Sequence, residues 1–171
     1  MAYTVDQVKN NLTNPARSYT WQVVIPRPVG GGVMEDLLMR CQSAQLPGRS
    51  VGSIDIPWQQ SGGFRVPGKL KYSHTWRVNF LENEDKKTHS ALYAWQQAIV
   101  NDVTNVGLGD GQIKTDAYFI LQSTKDREVL RIKLIGCYVQ EIGDVDVNQG
   151  EETPITFPVT FAYDRWEVVQ G

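Results

Sequence analysis

The chain predicts a mainly β, α+β domain: an antiparallel sandwich or barrel with one flanking helix and a short N-terminal helix. Three observations carry that class. Runs that switch between apolar and polar residues at every position recur along the chain, Gly and Pro separate them, and only one long segment has helical spacing. Many short antiparallel strands with one helix bury their apolar faces as a sandwich or barrel. With 171 residues, 41% of them hydrophobic, residues 1–171 read as a single domain. A chain of this length buries roughly 70% of its unfolded surface and needs no disulfide or metal staple.

Thr4-Val5-Asp6-Gln7 has the form of a capping box, and Val5, Val8 and Leu12 share one helical face, which predicts a short helix ended by Asn14-Pro15. Tyr19, Trp21, Val23 and Ile25 alternate with Thr20 and Gln22 until Pro26, a half-buried strand, and Gly30-Gly31-Gly32 turns the chain. Residues 33–45 read as a further extended run ending at Leu46-Pro47-Gly48. From there to Lys71 the breakers Gly48, Gly52, Pro57, Gly62, Gly63, Pro67 and Gly68 forbid a helix. Val51, Ile54, Ile56, Trp58, Phe64 and Val66 are interleaved with them, which predicts an ordered projecting loop whose apolar surface needs cover.

Tyr72, His74, Trp76, Val78 and Phe80 alternate with polar residues as one strand, with His74 packed in it. Glu82-Asn83-Glu84-Asp85 then places negative charge before a helix that carries Leu92, Trp95 and Ile99 on one side and His89 exposed in its first turn. Asn101 to Gln112 is a Gly/Asn/Asp loop. The last third returns to strands: Ala117, Phe119 and Leu121; a turn at Lys125-Asp126; Leu130, Ile132 and Leu134; and residues 155–163.

Composition excludes several classes. No stretch is apolar enough to span a bilayer, and Met1-Ala2-Tyr3-Thr4-Val5-Asp6 lacks the basic and apolar regions of a signal peptide, so folding in a cytoplasm without a membrane anchor is expected. Cys41 and Cys137 form no framework and read as buried thiols, with a bridge open only under oxidising conditions. A net charge of −2 gives no case for a nucleic-acid-binding surface, and the five Trp are spread as core and interface anchors.

Gly48-Arg49-Ser50-Val51-Gly52 matches the nucleophile elbow G-x-S-x-G, but the extended pattern after Gly52 and the missing strand–helix alternation argue against a hydrolase. His74 and His89 make no zinc motif, Gly107 to Gly111 lacks the phosphate-loop Lys, and Asp144 with Asp146 has no partner base. No catalytic residue, metal or cofactor is expected.

Charge is polarised along the chain. Residues 40–77 carry Arg40, Arg49, Arg65, Lys69, Lys71 and Arg77 against Asp55, a net of +5. Residues 139–171 carry Glu141, Asp144, Asp146, Glu151, Glu152, Asp164 and Glu167 against Arg165, a net of −6. Such polarity suits head-to-tail self-association, against the alternative of two solvated faces of a monomer.

In order, Tyr19-Thr20-Trp21-Gln22-Val23-Val24-Ile25, Cys41-Gln42-Ser43-Ala44-Gln45-Leu46-Pro47-Gly48, Trp76-Arg77-Val78-Asn79-Phe80-Leu81-Glu82-Asn83-Glu84, Ala94-Trp95-Gln96 and Phe157-Pro158-Val159-Thr160-Phe161-Ala162-Tyr163-Asp164-Arg165-Trp166-Glu167 cover nearly the whole chain. Together they resemble the tail tube proteins of contractile-tailed bacteriophages, the family related to that of T4-like viruses. Gly30-Gly31-Gly32 departs from it as a longer turn.

The resemblance implies a non-enzymatic virion protein, assembled in the host bacterial cytoplasm. Its hexameric rings join strands into an inner β-barrel and stack into a hollow tube. Implied partners are further copies of the chain, the contractile sheath protein, the tape-measure protein, and baseplate and tail terminator proteins, with genomic DNA in transit and not specifically bound. Leu46, Pro47, Arg49, Ile54, Ile56, Trp58, Phe64, Arg65, Lys69 and Lys71 would then meet a neighbouring subunit or ring. The cations Arg49, Arg65, Lys69 and Lys71 would face carboxylates among Asp144, Asp146, Glu151 and Glu152. Arg131 and Lys133, awkward in a lumen that conducts DNA, are expected to face outward or to pair with acids. The alternatives are the tube or the baseplate tube-initiator of a contractile injection system and, from another class, a small serine hydrolase using Ser50.

Overall fold

The computed structural model describes residues 4–7, 18–26, 37, 40–58, 62–125, 127–145, 150 and 153–169. Among the described residues, the elements whose bounds are defined follow in the order β1 (Trp21–Val24), β2 (Cys41–Ala44), β3 (Arg49–Ile56), β4 (Phe64–Tyr72), β5 (Thr75–Leu81), α1 (Lys87–Ile99), α2 (Asp110–Ile113), β6 (Thr115–Gln122), β7 (Glu128–Ile142), β8 (Thr156–Ala162) and β9 (Arg165–Val169). Every pairing is antiparallel. Seven strands form one sheet in the order β1-β6-β7-β8-β5-β2, with β9 also on β7, while β3 and β4 make a separate ribbon. Among the described residues the sheet stays open, ending on β1 and β2.

The 15-residue β7 holds the architecture together. Its first part, Arg131 to Ile135, lies between β6 and β9, and its second part, from Tyr138, pairs with β8. Gly136 makes the bend at φ +69°, a left-handed conformation that favours glycine. Alternation decides what is buried. Trp76, Val78 and Phe80 of β5, Phe157, Val159 and Phe161 of β8, and Ile132 and Leu134 of β7 join Leu92 and Trp95 of α1 in one core. Trp95 stays satisfied there, its Nε1–H donating to the Ile113 carbonyl at 2.8 Å.

The acidic run before α1 does cap it: Glu82 accepts the His89 N–H at 2.8 Å and Asp85 the Lys87 N–H at 3.3 Å. Arg40 ties this corner to β2 by a forked contact to Asp85, 3.1 and 3.2 Å, and a bond to Thr88 Oγ1 at 2.9 Å. At the N-terminus the capping box closes in both directions between Thr4 and Gln7, at 3.1 and 3.4 Å. Val8, Leu12 and Gly30 to Gly32 lie outside the described residues.

Four expectations need correction. Residues 33–45 are not one extended run, since Leu37 and Arg40 are helical and only Cys41–Ala44 is strand. The strand predicted from Tyr72 to Phe80 is cut at Ser73-His74, so Tyr72 belongs to β4. His74 is an exposed corner residue at φ +57°, not a packed strand residue. The Asn101–Gln112 loop ends in the one-turn helix α2.

Candidate assembly interface

The stretch predicted as a projecting loop is a two-stranded ribbon. Its breakers fall where hairpin geometry needs them. Gly62 and Gly63 lead from the connection into β4 at φ +85° and +71°, and at Gly63 a Cβ would meet the Ile56 carbonyl oxygen at 2.6 Å. Gly52, Pro67 and Gly68 surround the single register shift, between Val51 and Ser53. A Cβ on Gly68 would come within 3.1 Å of the Gly52 backbone, so the two strands cross closely there.

Cross-strand pairing sets apolar against apolar: Val51 with Leu70, Ile54 with Val66, Ile56 with Phe64. A two-stranded ribbon has no layer behind it, so these pairs stay in water. Ile54 and Phe64 are each 56% exposed and Trp58 61%. Isolated hairpins are marginal in water, and an apolar surface of this kind marks an interaction site.

The ribbon leaves the body at an aromatic clasp. Trp166 of β9 donates its Nε1–H to the Gly48 carbonyl at 3.2 Å, the Arg49 guanidinium lies 5.3 Å from its ring centroid, and Tyr72 meets it edge-on at 6.2 Å. This contact was not read from the sequence, because nothing local to Trp166 points across 118 residues to Gly48.

Leu46 is exposed beside the ribbon's base, whereas Pro47 is buried and already covered by its own chain. Of the four cations, Arg65 pairs with Asp55 across the ribbon at 2.7 Å and Arg49 is taken up by Trp166. Lys69 and Lys71 are exposed and enter no ion pair among the described residues. Asp144 is exposed just past β7, with no ion pair to the ribbon among the described residues; Asp146, Glu151 and Glu152 lie outside them. Val51 and Val66, read from the sequence as part of the apolar surface, are exposed on it as well, and Leu70, not read there, joins them opposite Val51.

Among the described residues no catalytic geometry gathers around Ser50. It lies inside β3, paired with Lys71, and not at a strand-to-helix turn. The thiols are poor nucleophiles: burial pushes Cys41 up to about 12 and raises the fully buried Cys137 as well. Both are free. Arg131 and Lys133 do pair with acids, Glu128 and Asp116.

Among solved structures, the sheath/tube terminator of an extracellular contractile injection system, PVC, in its extended state matches over 93% of this chain and 99% of its own, at 13% identity and TM-score 0.70. The sheath–tube complex of the same system matches over 98% and 99%, at 12% identity and TM-score 0.66. The SPP1 tail tube matches over 90% and 78%, at 11% identity and TM-score 0.51. At such identities these likenesses concern the fold. No curated relative matches by sequence. The model of the family described as phage tail tube protein does match, over residues 3–169, and the chain belongs to that family.

Proposed function

We propose that this chain is the repeating subunit of a tail tube, in which hexameric rings stack into a hollow conduit that delivers the genome from a virion. The observation that carries the reading is the ribbon, a cationic hairpin with apolar side chains that its own chain does not cover. A second copy is its natural occupant. Fully burying an exposed Ile or Phe contributes about 1.5–3 kcal/mol, so covering Ile54 or Phe64, each 56% exposed, contributes roughly half of that, and a contact repeated around a ring multiplies the gain. The open sheet supports the same reading, since strand pairing between subunits would use the β1 and β2 edges and remove a template for aggregation.

The subunit acts by shape and has no catalytic step; Ser50→Ala leaves assembly intact in this reading. Its further partners are a contractile sheath, the tape-measure protein, and baseplate and terminator proteins, with DNA passing through. The same position in an injection system is a second reading, favoured by the likeness to the PVC terminator at TM-score 0.70.

Negative-stain electron microscopy across a concentration series tests the proposal. The native chain is expected to form rings or tubes with a stain-filled centre, and the Ile54→Asp/Phe64→Asp variant is expected to stay a folded monomer at the same concentrations. Native monomers persisting at high concentration would overturn self-assembly, and tubes formed equally well by the variant would remove the ribbon from the contact.

A further inference from the structure

β2 ends the large sheet on one side, and none of its four residues is fully buried. Cys41 and Ala44 are half-buried against the core, Gln42 and Ser43 are exposed, and the register on β5 shifts between Cys41 and Ser43. So short an edge strand gains little from its own apolar contacts. Polar contacts hold it instead. At its C-terminal end the buried Trp76 donates its Nε1–H to the Gln45 carbonyl at 2.7 Å, and the Gln45 N–H donates to the Arg77 carbonyl at 3.1 Å. Midway, the Asn79 side-chain amide donates to Ser43 Oγ at 3.0 Å.

At its N-terminal end stands Arg40, the residue before the strand. Its guanidinium forks onto Asp85 at 3.1 and 3.2 Å, donates to the buried Thr88 Oγ1 at 2.9 Å and lies 3.6 Å from Glu82 Oε1. All three partners belong to the segment that runs from the end of β5 into the first turn of α1. Other contacts fix that segment without Arg40. Glu82 accepts the Asn83 and His89 N–H groups, its own N–H donates to the Ile155 carbonyl at 2.9 Å, and Lys87 Nζ lies 3.4 Å from Asp85 Oδ2. The side chains of Arg40 and Glu82 are only 13% and 9% exposed, so water replaces little of what the contact gives. The forked bond from Arg40 also holds the Asp85 carboxyl below its ordinary pKa.

We propose that Arg40 latches the edge strand β2 to the root of α1, and so keeps this sheet edge in the form with which a second copy of the chain can pair. A planar guanidinium reaches two carboxylates and a hydroxyl at once, which fixes direction as well as distance. Without it, the N-terminal end of β2 keeps a single ladder pair, Cys41 with Phe80, before the register shift. A β2 that lifts away bares the edge of β5 from Thr75 to Leu81, a row of unpaired backbone groups that templates disordered association in place of ordered pairing. The latch rests on the tube reading for its purpose, while the hold of Arg40 on β2 needs no second copy.

Amide exchange below the assembly threshold, paired with sedimentation across it, tests the latch. Arg40→Gln is expected to lower protection in residues 41–45 by about tenfold or more while α1, β6 and β7 keep theirs, and to raise the concentration needed for ordered assembly by about tenfold. Arg40→Lys keeps the charge without the fork and is expected to fall between Arg40→Gln and the native chain. Lys125→Gln removes one exposed positive charge from a turn and is expected to match the native chain in both measurements. Native protection of residues 41–45 in Arg40→Gln would overturn the latch, as would a loss spread evenly over all strands, which would reduce Arg40 to a contributor to global stability. Lost protection with an unchanged assembly threshold would overturn its role in assembly. Should Arg40→Gln fail to fold, Asp85→Asn keeps an acceptor for the Lys87 N–H and is expected to lower the same protection about twofold to fivefold; no loss there overturns the proposal. Native chains that never assemble would overturn the tube reading, and the exchange measurement would still decide the latch.

Discussion

Gly136 shows how one residue position sets the path of the sheet. Its φ of +69° lets β7 leave β9 and turn along β8, and a Cβ there would stand 2.2 Å from Asp164 Oδ2. Asp164 cannot simply swing away without loss, since its backbone N–H donates to Ile135 at 3.0 Å and its carboxylate lies 3.5 Å from Lys114. Gly136→Ala is expected to cost about 1–3 kcal/mol, read in urea unfolding as a lower midpoint at unchanged m-value; an unchanged midpoint would refute the strain. In the sequence this glycine is only an interruption of an apolar run. That it turns the longest strand follows from which strands lie on each side of it.

The ribbon is the element whose character the sequence half disclosed. Exposed apolar side chains and a run of Gly and Pro announced a projecting segment, but strands went unread because no face is buried and the register shifts at Gly52 and Gly68. Without an apolar-in, polar-out contrast, period-2 alternation loses its usual meaning. What aims the ribbon is the Trp166 clasp. Trp166→Ala is expected to lower amide-exchange protection in Arg49–Ile56 and Phe64–Tyr72 by tenfold or more while the core strands keep theirs; ribbon protection equal to that of the native chain would show that the ribbon is held by other contacts. Trp166→Phe keeps the ring against Arg49 and Tyr72 and removes only the bond to Gly48, so an intermediate effect is expected.

For the whole molecule, charge polarity is the feature that survives folding in altered form. Arg40 is consumed by Asp85 and Thr88, Arg65 by Asp55, and Arg49 lies over Trp166, which leaves Lys69 and Lys71 as the ribbon cations without an ion pair among the described residues. An exposed ion pair is worth about 0.2–1 kcal/mol, and reversal replaces attraction by repulsion. Lys69→Glu/Lys71→Glu is therefore expected to raise the concentration needed for assembly by roughly tenfold, measured by sedimentation, with the difference shrinking at high salt. An unchanged assembly threshold would sink the pairing of these lysines with the acidic stretch that includes Asp144.

By itself the sequence determined the fold class and the core strands. Alternation at Trp76, Val78 and Phe80, or at Phe157, Val159 and Phe161, reports burial of one sheet face directly, and the ordered motifs reached the family. The tertiary structure alone decided the partners of those strands, the corner at His74 that splits one predicted strand, the helical turn near Leu37, and the short strand β9 that carries Trp166. The physical reason is range. Hydrophobic period is a local property that each segment carries alone, whereas register, bends and clasps are set by contacts such as Trp166 to Gly48, between residues far apart along the chain.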